Sequence, residues 1–121
     1  MQIESLMSGR IERYLDLAAN ETKLTAQNMA NIDTPGYRAL GMDFEAEMRH
    51  AVSDAGAGPG QQAVHVGFED GLIARPDGNN VSMDRESLNL AEAQLRYRTG
   101  ITLLKQQIQI TMDAIHADSG K

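Results

Sequence analysis

The chain has 121 residues, a formal net charge of −6, no cysteine, no tryptophan and 4% aromatic residues, which together predict a single domain with a small core. The absence of cysteine excludes disulfides and thiolate metal sites. Too few basic residues cluster to bind a phosphate backbone, and no apolar run is long enough to span a membrane, so nucleic acid and the bilayer interior are excluded as partners.

The predicted domain, 1–121, has three parts: an N-terminal helix and turn (1–37), a variable middle (38–81) and a C-terminal helix (82–121). The first residues, Met1-Gln2-Ile3-Glu4, have neither the basic nor the apolar region of a cleavable secretion signal. We therefore expect no cleaved signal peptide.

The first predicted element is a long amphipathic helix from about Ser5 to Ile32. Apolar or small residues recur at steps of three or four and so share one helix face. They are Met7, Ile11, Tyr14, Ala18, Thr22, Thr25, Met29 and Ile32. A helix of roughly 40 Å needs a partner, because an amphipathic helix gains most of its stability by burying its apolar stripe. Ile11, Tyr14, Ala18 and Met29 are the predicted N-terminal members of an assembly seam.

A turn built on Pro35 and Gly36 ends this helix. Proline lacks the N–H that a helix interior needs, and it moves Thr34 out of the helical region. Pro35-Gly36 predicts a type II turn, since glycine accepts the positive φ of its third position. The side chains of Asp33 and Thr34 are expected to hydrogen-bond backbone groups just beyond themselves.

The residues around the turn resemble the N-terminal signature of bacterial flagellar rod and hook proteins, in which the first helix ends in a similar Ala-Asn-x-Asp-Thr-Pro-Gly-Tyr run. The matching residues are Asn28, Ala30, Asn31, Asp33, Thr34, Pro35, Gly36 and Tyr37. The resemblance implies that they shape the exit from the first helix. On the Pro-Gly pair alone, an ordinary capped helix end is the alternative.

The middle of the chain is predicted to be small and Gly-rich. A short helix is expected over 45–53, followed by a flexible connector over 54–62, where glycines and a proline disfavour regular structure. Alternating residues over 63–68 predict a strand, and a turn at 69–71 would return residues 72–74 as the second arm of a β-hairpin.

The last helix has the longest periodic pattern, with Asp84 as its predicted N-cap and Glu86 in its first turn. Residues step by four and three, as in a coiled coil. They are Leu90, Gln94, Tyr97, Ile101, Leu104, Ile108, Thr111 and Ile115, and the apolar members complete the predicted assembly seam. Further leucines and isoleucines make the apolar surface wider than one partner helix covers. Gly100 indicates either a closely packed neighbour or a bend.

No catalytic, cofactor-binding or metal-binding residues are predicted. His50, His65 and His116 lie on separate elements and are interpreted as surface histidines. Glu45 and Glu47 occupy alternate positions of a short element, which is typical of a solvated face and not of an acid–base pair. The sequence therefore predicts a protein that is not an enzyme and has no cofactor.

These elements predict a mainly α fold, in which two long terminal amphipathic helices form a coiled-coil-like hairpin. Two helices packed only on each other would leave their wider apolar strips in water, so the sequence predicts association. Contacts through unlike surfaces can propagate into an open helical tube, whereas a closed bundle or dimer remains the alternative.

A second motif precedes the last helix and comprises Asp77, Gly78, Asn79, Asn80 and Val81. It resembles the C-terminal signature of one basal-body rod member of the same family. The two matches cover about residues 11–37 and 77–115 in the right order. The resemblance implies that the second motif shapes the start of the last helix.

The resemblance further implies a structural subunit of the proximal rod, with terminal helices that self-assemble into a tube and transmit torque from motor to hook. Its partners would be copies of itself, other flagellar rod subunits, the adaptor between membrane ring and rod, and the flagellar type III export apparatus. Its location would be the periplasmic rod of the basal body, and its terminal helices would be disordered in isolated subunits. The alternative function is a cytoplasmic helical adaptor or chaperone that forms a closed oligomer.

Overall fold

The computed structural model describes residues 2–53 and 63–120, with side chains from residue 6 onward, so the predicted connector at 54–62 lies outside the described residues. These described residues form three helices and a two-stranded sheet. They are α1 Gln2–Ala30, β1 Leu40–Gly41, α2 Phe44–Ser53, β2 Gly67–Phe68 and α3 Met83–Ser119. The predicted mainly α class is confirmed. Among the described helices, none has the combined length and apolarity that a membrane crossing requires.

Helices α1 and α3 pack antiparallel to each other. Asn28, near the end of α1, donates to Glu86 near the start of α3 at 3.1 Å, and Leu15 lies against Gly100 farther along α3. A Cβ at Gly100 would lie 2.6 Å from Leu15 Cδ2. The glycine is therefore needed for a close approach, although the neighbour is a side chain and not the backbone.

The apolar stripe of α1 faces the interior of the hairpin. Leu17 and Ala18 are fully buried, and Ile11 is almost so. The helix ends at Ala30, two residues before the predicted end, because the last amides tighten to i→i−3 hydrogen bonds such as Ile32 N to Met29 O.

Helix α2 begins with Phe44, one residue before the predicted start, and this side chain anchors it on the hairpin. The Phe44 ring meets Tyr14 edge to face, with centroids 5.1 Å apart. The guanidinium of Arg96 lies 4.2 Å from the Phe44 ring centroid and donates to both carboxylate oxygens of Glu21 at 2.9 and 2.7 Å. One arginine of α3 therefore joins all three helices.

The predicted pairing of the small sheet is wrong. β2 pairs antiparallel with β1, so that Leu40 lies opposite Phe68, and residues 72–74 form no strand. The physical reason is that Asn28 hydrogen-bonds both the N–H and the C=O of Leu40. β1 is thereby fixed with one free edge, and that edge is a better partner than a short returning segment.

The predicted N-cap of α3 is also wrong. Ser82 is the N-cap: its backbone is extended, and its hydroxyl accepts from the Arg85 amide at 3.4 Å. Asp84 lies within the first turn, where its charge complements the helix dipole. The helix begins earlier because Asn79 and Asn80, which tertiary hydrogen bonds fix, bring Ser82 into the extended conformation of a cap.

The interpretation of Glu47 as a solvated residue is wrong, although Glu45 is exposed. Glu47 is 4% exposed; its Oε1 lies 2.9 Å from His65 Nδ1, and its Oε2 lies 3.7 Å from a guanidinium nitrogen of the buried Arg13. Burial alone raises the pKa of Glu47, but hydrogen bonds and charge from His65, with the charge of Arg13, outweigh it and lower the pKa. The imidazole of His65 is itself exposed, as are His50 and His116.

Candidate functional site

The two sequence motifs, which the whole middle segment separates in the chain, meet in space. The Gly36 amide donates to the Asp77 carbonyl at 2.9 Å, and the Asn80 amide donates to the Tyr37 carbonyl at 3.3 Å. We call this meeting place the motif junction and define it as residues 28–40 and 77–86. It joins the exit from α1 to the start of α3.

Asn28 is the centre of the motif junction and is 1% exposed. Its amide nitrogen donates to the Leu40 carbonyl at 2.8 Å and to Glu86 Oε1 at 3.1 Å. Its oxygen accepts from the Leu40 amide and from the Tyr37 hydroxyl, both at 3.0 Å. All four hydrogen bonds that an asparagine side chain can make are therefore formed, and they connect α1, β1 and α3.

Asn79 is fully buried and completes the end of α1. Its amide nitrogen donates at 2.9 Å to the carbonyls of Asn31 and Thr34, and its oxygen accepts from the Val81 amide at 2.9 Å. Both carbonyls lie just beyond the end of α1, where they also accept from the Thr34 and Tyr37 amides. A side chain from the second motif thus gives each carbonyl of this turn a second hydrogen bond.

Two further side chains connect the chain segments beside Asn79. Asn80 Oδ1 accepts from the Ala39 amide at 2.7 Å. The guanidinium of Arg75 donates to the Ile32 carbonyl, and the Arg75 amide donates to the Asn79 carbonyl. The turn at 75–80 is therefore held against the exit from α1 by side chains and by backbone.

Two glycines let the backbones of the two motifs touch. Gly36 has φ of +75° and follows Pro35, and the Tyr37 amide donates to the Thr34 carbonyl at 3.2 Å, which confirms the predicted type II turn. Gly78 has φ of +87°, and a Cβ there would lie 3.4 Å from Gly36 Cα. A side chain at either position would strain the turn.

The remaining members of the first motif make no contact of this kind. Ala30, Asp33 and Pro35 are exposed. The Thr34 hydroxyl donates backward to Asn31 Oδ1 at 3.0 Å, so the prediction that it bonds groups beyond itself is wrong. The reason is that the amides beyond Thr34 already have partners: the Gly36 amide donates to the Asp77 carbonyl, and the Tyr37 amide donates to the Thr34 carbonyl.

Glu86 belongs to the motif junction. The sequence places it in the first turn of α3, where an acidic residue is ordinarily solvated, so its burial could not be predicted. It is 0% exposed, and its Oε2 has no hydrogen-bond partner among the described residues. Burial raises the pKa of Glu86, the hydrogen bond from Asn28 opposes that effect, and the nearby charge of Glu69 adds to it. Burial and the charge of Glu86 likewise raise the pKa of Tyr37.

The predicted assembly seam lies partly inside the chain and partly on its surface. Ile11 and Ala18 are buried, and Tyr14, Met29, Leu90, Ile101 and Leu104 are partly buried. Tyr97, Ile108 and Ile115 are 43%, 54% and 58% exposed. The face of α3 that is buried within the chain uses Glu86, Ala93 and Gly100, so the apolar seam lies beside that face.

A second exposed apolar strip follows another face of α3. Its members are Leu88, Leu95, Leu103 and Ile110, which are 60%, 66%, 43% and 59% exposed. Large apolar side chains therefore face solvent on two sides of one helix, which is typical of an interaction surface.

A groove of about 660 Å³ lies between the sheet and the helix hairpin. Its lining includes acidic residues such as Glu45 and Glu92, together with Arg85 and Arg96, each of which forms an ion pair with a glutamate. Within the described parts of the chain, no three metal-binding side chains cluster.

Comparison with known proteins finds relatives over most of the chain. It is 33% identical over 122 residues to the flagellar basal body rod protein FlgB of Salmonella typhimurium strain LT2, with 86% of this chain and 88% of the relative covered. FlgB of Yersinia enterocolitica is also 33% identical, and FlgB of Escherichia coli K12 is 27% identical with 88% of this chain and 90% of the relative covered. No protein-family model matches the chain.

Proposed function

The chain belongs to the FlgB family of flagellar basal body rod proteins, and we propose from this that it is a structural rod subunit whose terminal helices self-assemble into a helical tube. The observation that carries the proposal is the similarity over 86% of the chain, which covers both terminal motifs. In this function the protein catalyses no reaction and transmits torque from motor to hook.

The exposed apolar residues of α3 support assembly through this helix. Ile108 and Ile115 are more than half exposed and lie one heptad apart, as do Leu88 and Leu95 on another face. Because the two strips face different directions, one subunit can contact two different neighbours. Contacts of that kind are heterologous and can continue into an open helical array.

The motif junction supports torque transmission. A tube of hairpins transmits torque only if the two helices of each hairpin cannot slide past one another. Asn28 and Asn79 tie the end of α1 to the start of α3 through buried hydrogen bonds, and Arg96 ties the same two helices through Glu21. The subunit is thereby braced at one end and near its middle.

The partners and location in the proposal follow from family membership. The chain would assemble with copies of itself, with other rod subunits and with the adaptor between membrane ring and rod. It would reach the periplasmic part of the basal body through the flagellar type III export apparatus, without a cleaved signal peptide.

Replacement of an exposed seam residue tests assembly. Ile108→Asp should leave export intact but prevent incorporation into the rod, because assembly would bury a charge without a partner. Gln109→Asp is the matched control, since Gln109 is exposed on the same helix roughly 100° from Ile108, between the two apolar strips, and receives the same charge. Export is measured as secreted protein, and assembly as motility and as the protein content of purified basal bodies. Normal motility of Ile108→Asp would contradict the proposal.

The purified chain offers a test without the flagellum. Sedimentation should show monomers that polymerise without a fixed final size, and Ile108→Asp should stay monomeric. Far-UV circular dichroism of the monomer tests whether the terminal helices are disordered before assembly, as the family resemblance implies. A closed oligomer of fixed size at every concentration would contradict the rod and favour an adaptor or chaperone.

A further inference from the structure

Glu86 is a buried acid that lacks a compensating positive charge of its own. The side chain is fully buried, Oε1 accepts one hydrogen bond from Asn28 at 3.1 Å, and Oε2 is buried without a partner among the described residues. An ionised carboxylate has about four acceptor positions, and leaving them unfilled away from water is costly. A neutral carboxylic acid fits this environment better.

The groups around Glu86 come from each element that packs against it. Tyr37, from the segment after α1, donates a hydrogen bond from its hydroxyl to Asn28 and carries no positive charge that would stabilise an ionised Glu86. Glu69, after β2, adds a negative charge. Arg85 is the adjacent residue on α3, but its Nε lies 3.5 Å from Glu69 Oε2, so its charge is shared with that carboxylate. The surroundings thus disfavour ionisation of Glu86.

We propose that Glu86 is a protonation-controlled clasp of the motif junction: with its proton it stays buried on Asn28, and when it loses the proton this hydrogen bond is withdrawn and the contact between the start of α3 and the end of α1 loosens. Asn28 donates the hydrogen bond that Glu86 Oε1 accepts and also makes both bonds to Leu40. Movement of the Glu86 carboxylate toward water therefore withdraws one of the four bonds that hold Asn28. The inference concerns the folded chain itself and does not rest on the proposed rod function.

The direction of the pH effect follows from the raised pKa of Glu86. A group whose folded-state pKa lies above its unfolded-state value stabilises the fold fully below the unfolded-state pKa, about 4.3 for glutamate. That stabilisation is lost as the pH rises through the folded-state pKa. The motif junction should therefore be tightest in acid and should loosen toward neutral and alkaline pH.

The first test compares thermal unfolding of the full chain and of Glu86→Gln between pH 4 and pH 8. Glutamine keeps the oxygen that accepts from Asn28 and cannot ionise, so it mimics the protonated acid. The two unfolding midpoints should agree within about 1 °C at pH 4. At pH 8 the unfolding midpoint of the variant should be higher than that of wild type. The difference should be roughly 5 °C for each pH unit by which the folded-state pKa of Glu86 exceeds its unfolded-state pKa. Glu92→Gln, the same substitution at an exposed position of the same helix, is the control for the change in net charge.

Comparison of wild type with Glu86→Gln separates the pH effect of Glu86 from that of Glu47. The lowered pKa of Glu47 destabilises the chain as the pH falls, which is the opposite direction, and it affects wild type and Glu86→Gln equally. A difference between them that is the same at pH 4 and pH 8 would overturn the proposal, and so would terminal helices that circular dichroism finds unfolded in the isolated chain at pH 4.

A direct titration of Glu86 in the wild-type chain tests the proposal even if the variant does not fold. The side-chain carboxyl ¹³C shift of Glu86 is followed by NMR in the folded wild-type chain and in the same chain unfolded by urea. Glu86 should titrate at higher pH in the folded chain, and the Leu40 amide of the folded chain should shift along the same curve, because Asn28 hydrogen-bonds both residues. Titration of Glu86 at the same pH in both states, or a Leu40 amide that does not respond, would overturn the clasp.

Discussion

Asn79 offers the sharpest test of how the two motifs hold each other. Asn79→Ala removes a fully buried side chain whose amide nitrogen serves two carbonyls at the end of α1 and whose oxygen serves the Val81 amide. The change leaves the backbone in place, removes one of the two hydrogen bonds of each carbonyl, and removes the bond of the buried Val81 amide.

The expected loss follows from the number of bonds. A hydrogen bond contributes about 1 kcal/mol net, and a buried group left unpaired costs about 1–3 kcal/mol. The loss of three bonds should therefore lower the free energy of unfolding by roughly 3 kcal/mol. Asn79→Asp should be at least as damaging despite its nearly identical shape, because it would place a carboxylate oxygen against the carbonyls of Asn31 and Thr34.

Urea denaturation followed by circular dichroism at 222 nm measures this loss. With an m-value of about 1.5 kcal/mol/M, the midpoint should fall by roughly 2 M. Asn20→Ala is the matched control: Asn20 also donates its side-chain amide to a backbone carbonyl, that of Asp16 at 2.9 Å, but it does so at the surface within α1. Its midpoint should change by only a few tenths of a molar, since alanine is the better helix former.

Two outcomes would refute the reasoning. If Asn79→Ala and Asn20→Ala shift the midpoint equally, burial does not increase the contribution of the Asn79 hydrogen bonds to stability. If Asn79→Asp matches wild type, the amide nitrogen does not serve the two carbonyls.

Two other predictions concern the rest of the hairpin. Gly100→Ala should lower stability by about 1 kcal/mol in the same urea assay, because overpacking against Leu15 Cδ2 at 2.6 Å exceeds the gain in helix propensity; a stabilised variant would contradict the close approach. Glu47→Gln should cost roughly 2 kcal/mol at pH 7, because it removes the carboxylate that faces both His65 and the buried Arg13 and leaves Arg13 with Asp16, at 3.4 Å, as its acidic partner. Because the pKa of Glu47 is lowered, with His65 as a main cause, that cost should shrink as the pH falls through the folded-state pKa; a cost that does not depend on pH would count against the ion pair.

The motif junction explains why the two signatures belong together. Asn79 of the second motif binds backbone carbonyls of the first, and Asn28 of the first motif binds the Glu86 side chain that follows the second, so neither motif is complete alone. Family resemblance marked these residues as a pair of helix boundaries. Their hydrogen bonds show that the two boundaries form one structural unit.

Sequence by itself determined the elements whose signal is local. The steps of three and four along residues 7–32 and 90–115 specify two amphipathic helices, since helical spacing repeats every 3.6 residues. Pro35 and Gly36 specify a stop and a type II turn, because ring geometry and positive φ are properties of those residues alone. The motifs likewise identified the family.

Only the tertiary structure decided what depends on a distant neighbour. The burial of Glu47 and Glu86 could not be predicted, because a carboxylate in an amphipathic helix is ordinarily solvated and its burial depends on a partner far along the chain. β1 pairs with β2 because Asn28 fixes the opposite side of Leu40. Periodicity located the apolar face of α3, but only the docking of α1 on the neighbouring face that carries Gly100 showed which seam residues are covered: Ile101 and Leu104 are partly buried, whereas Ile108 and Ile115 are more than half exposed.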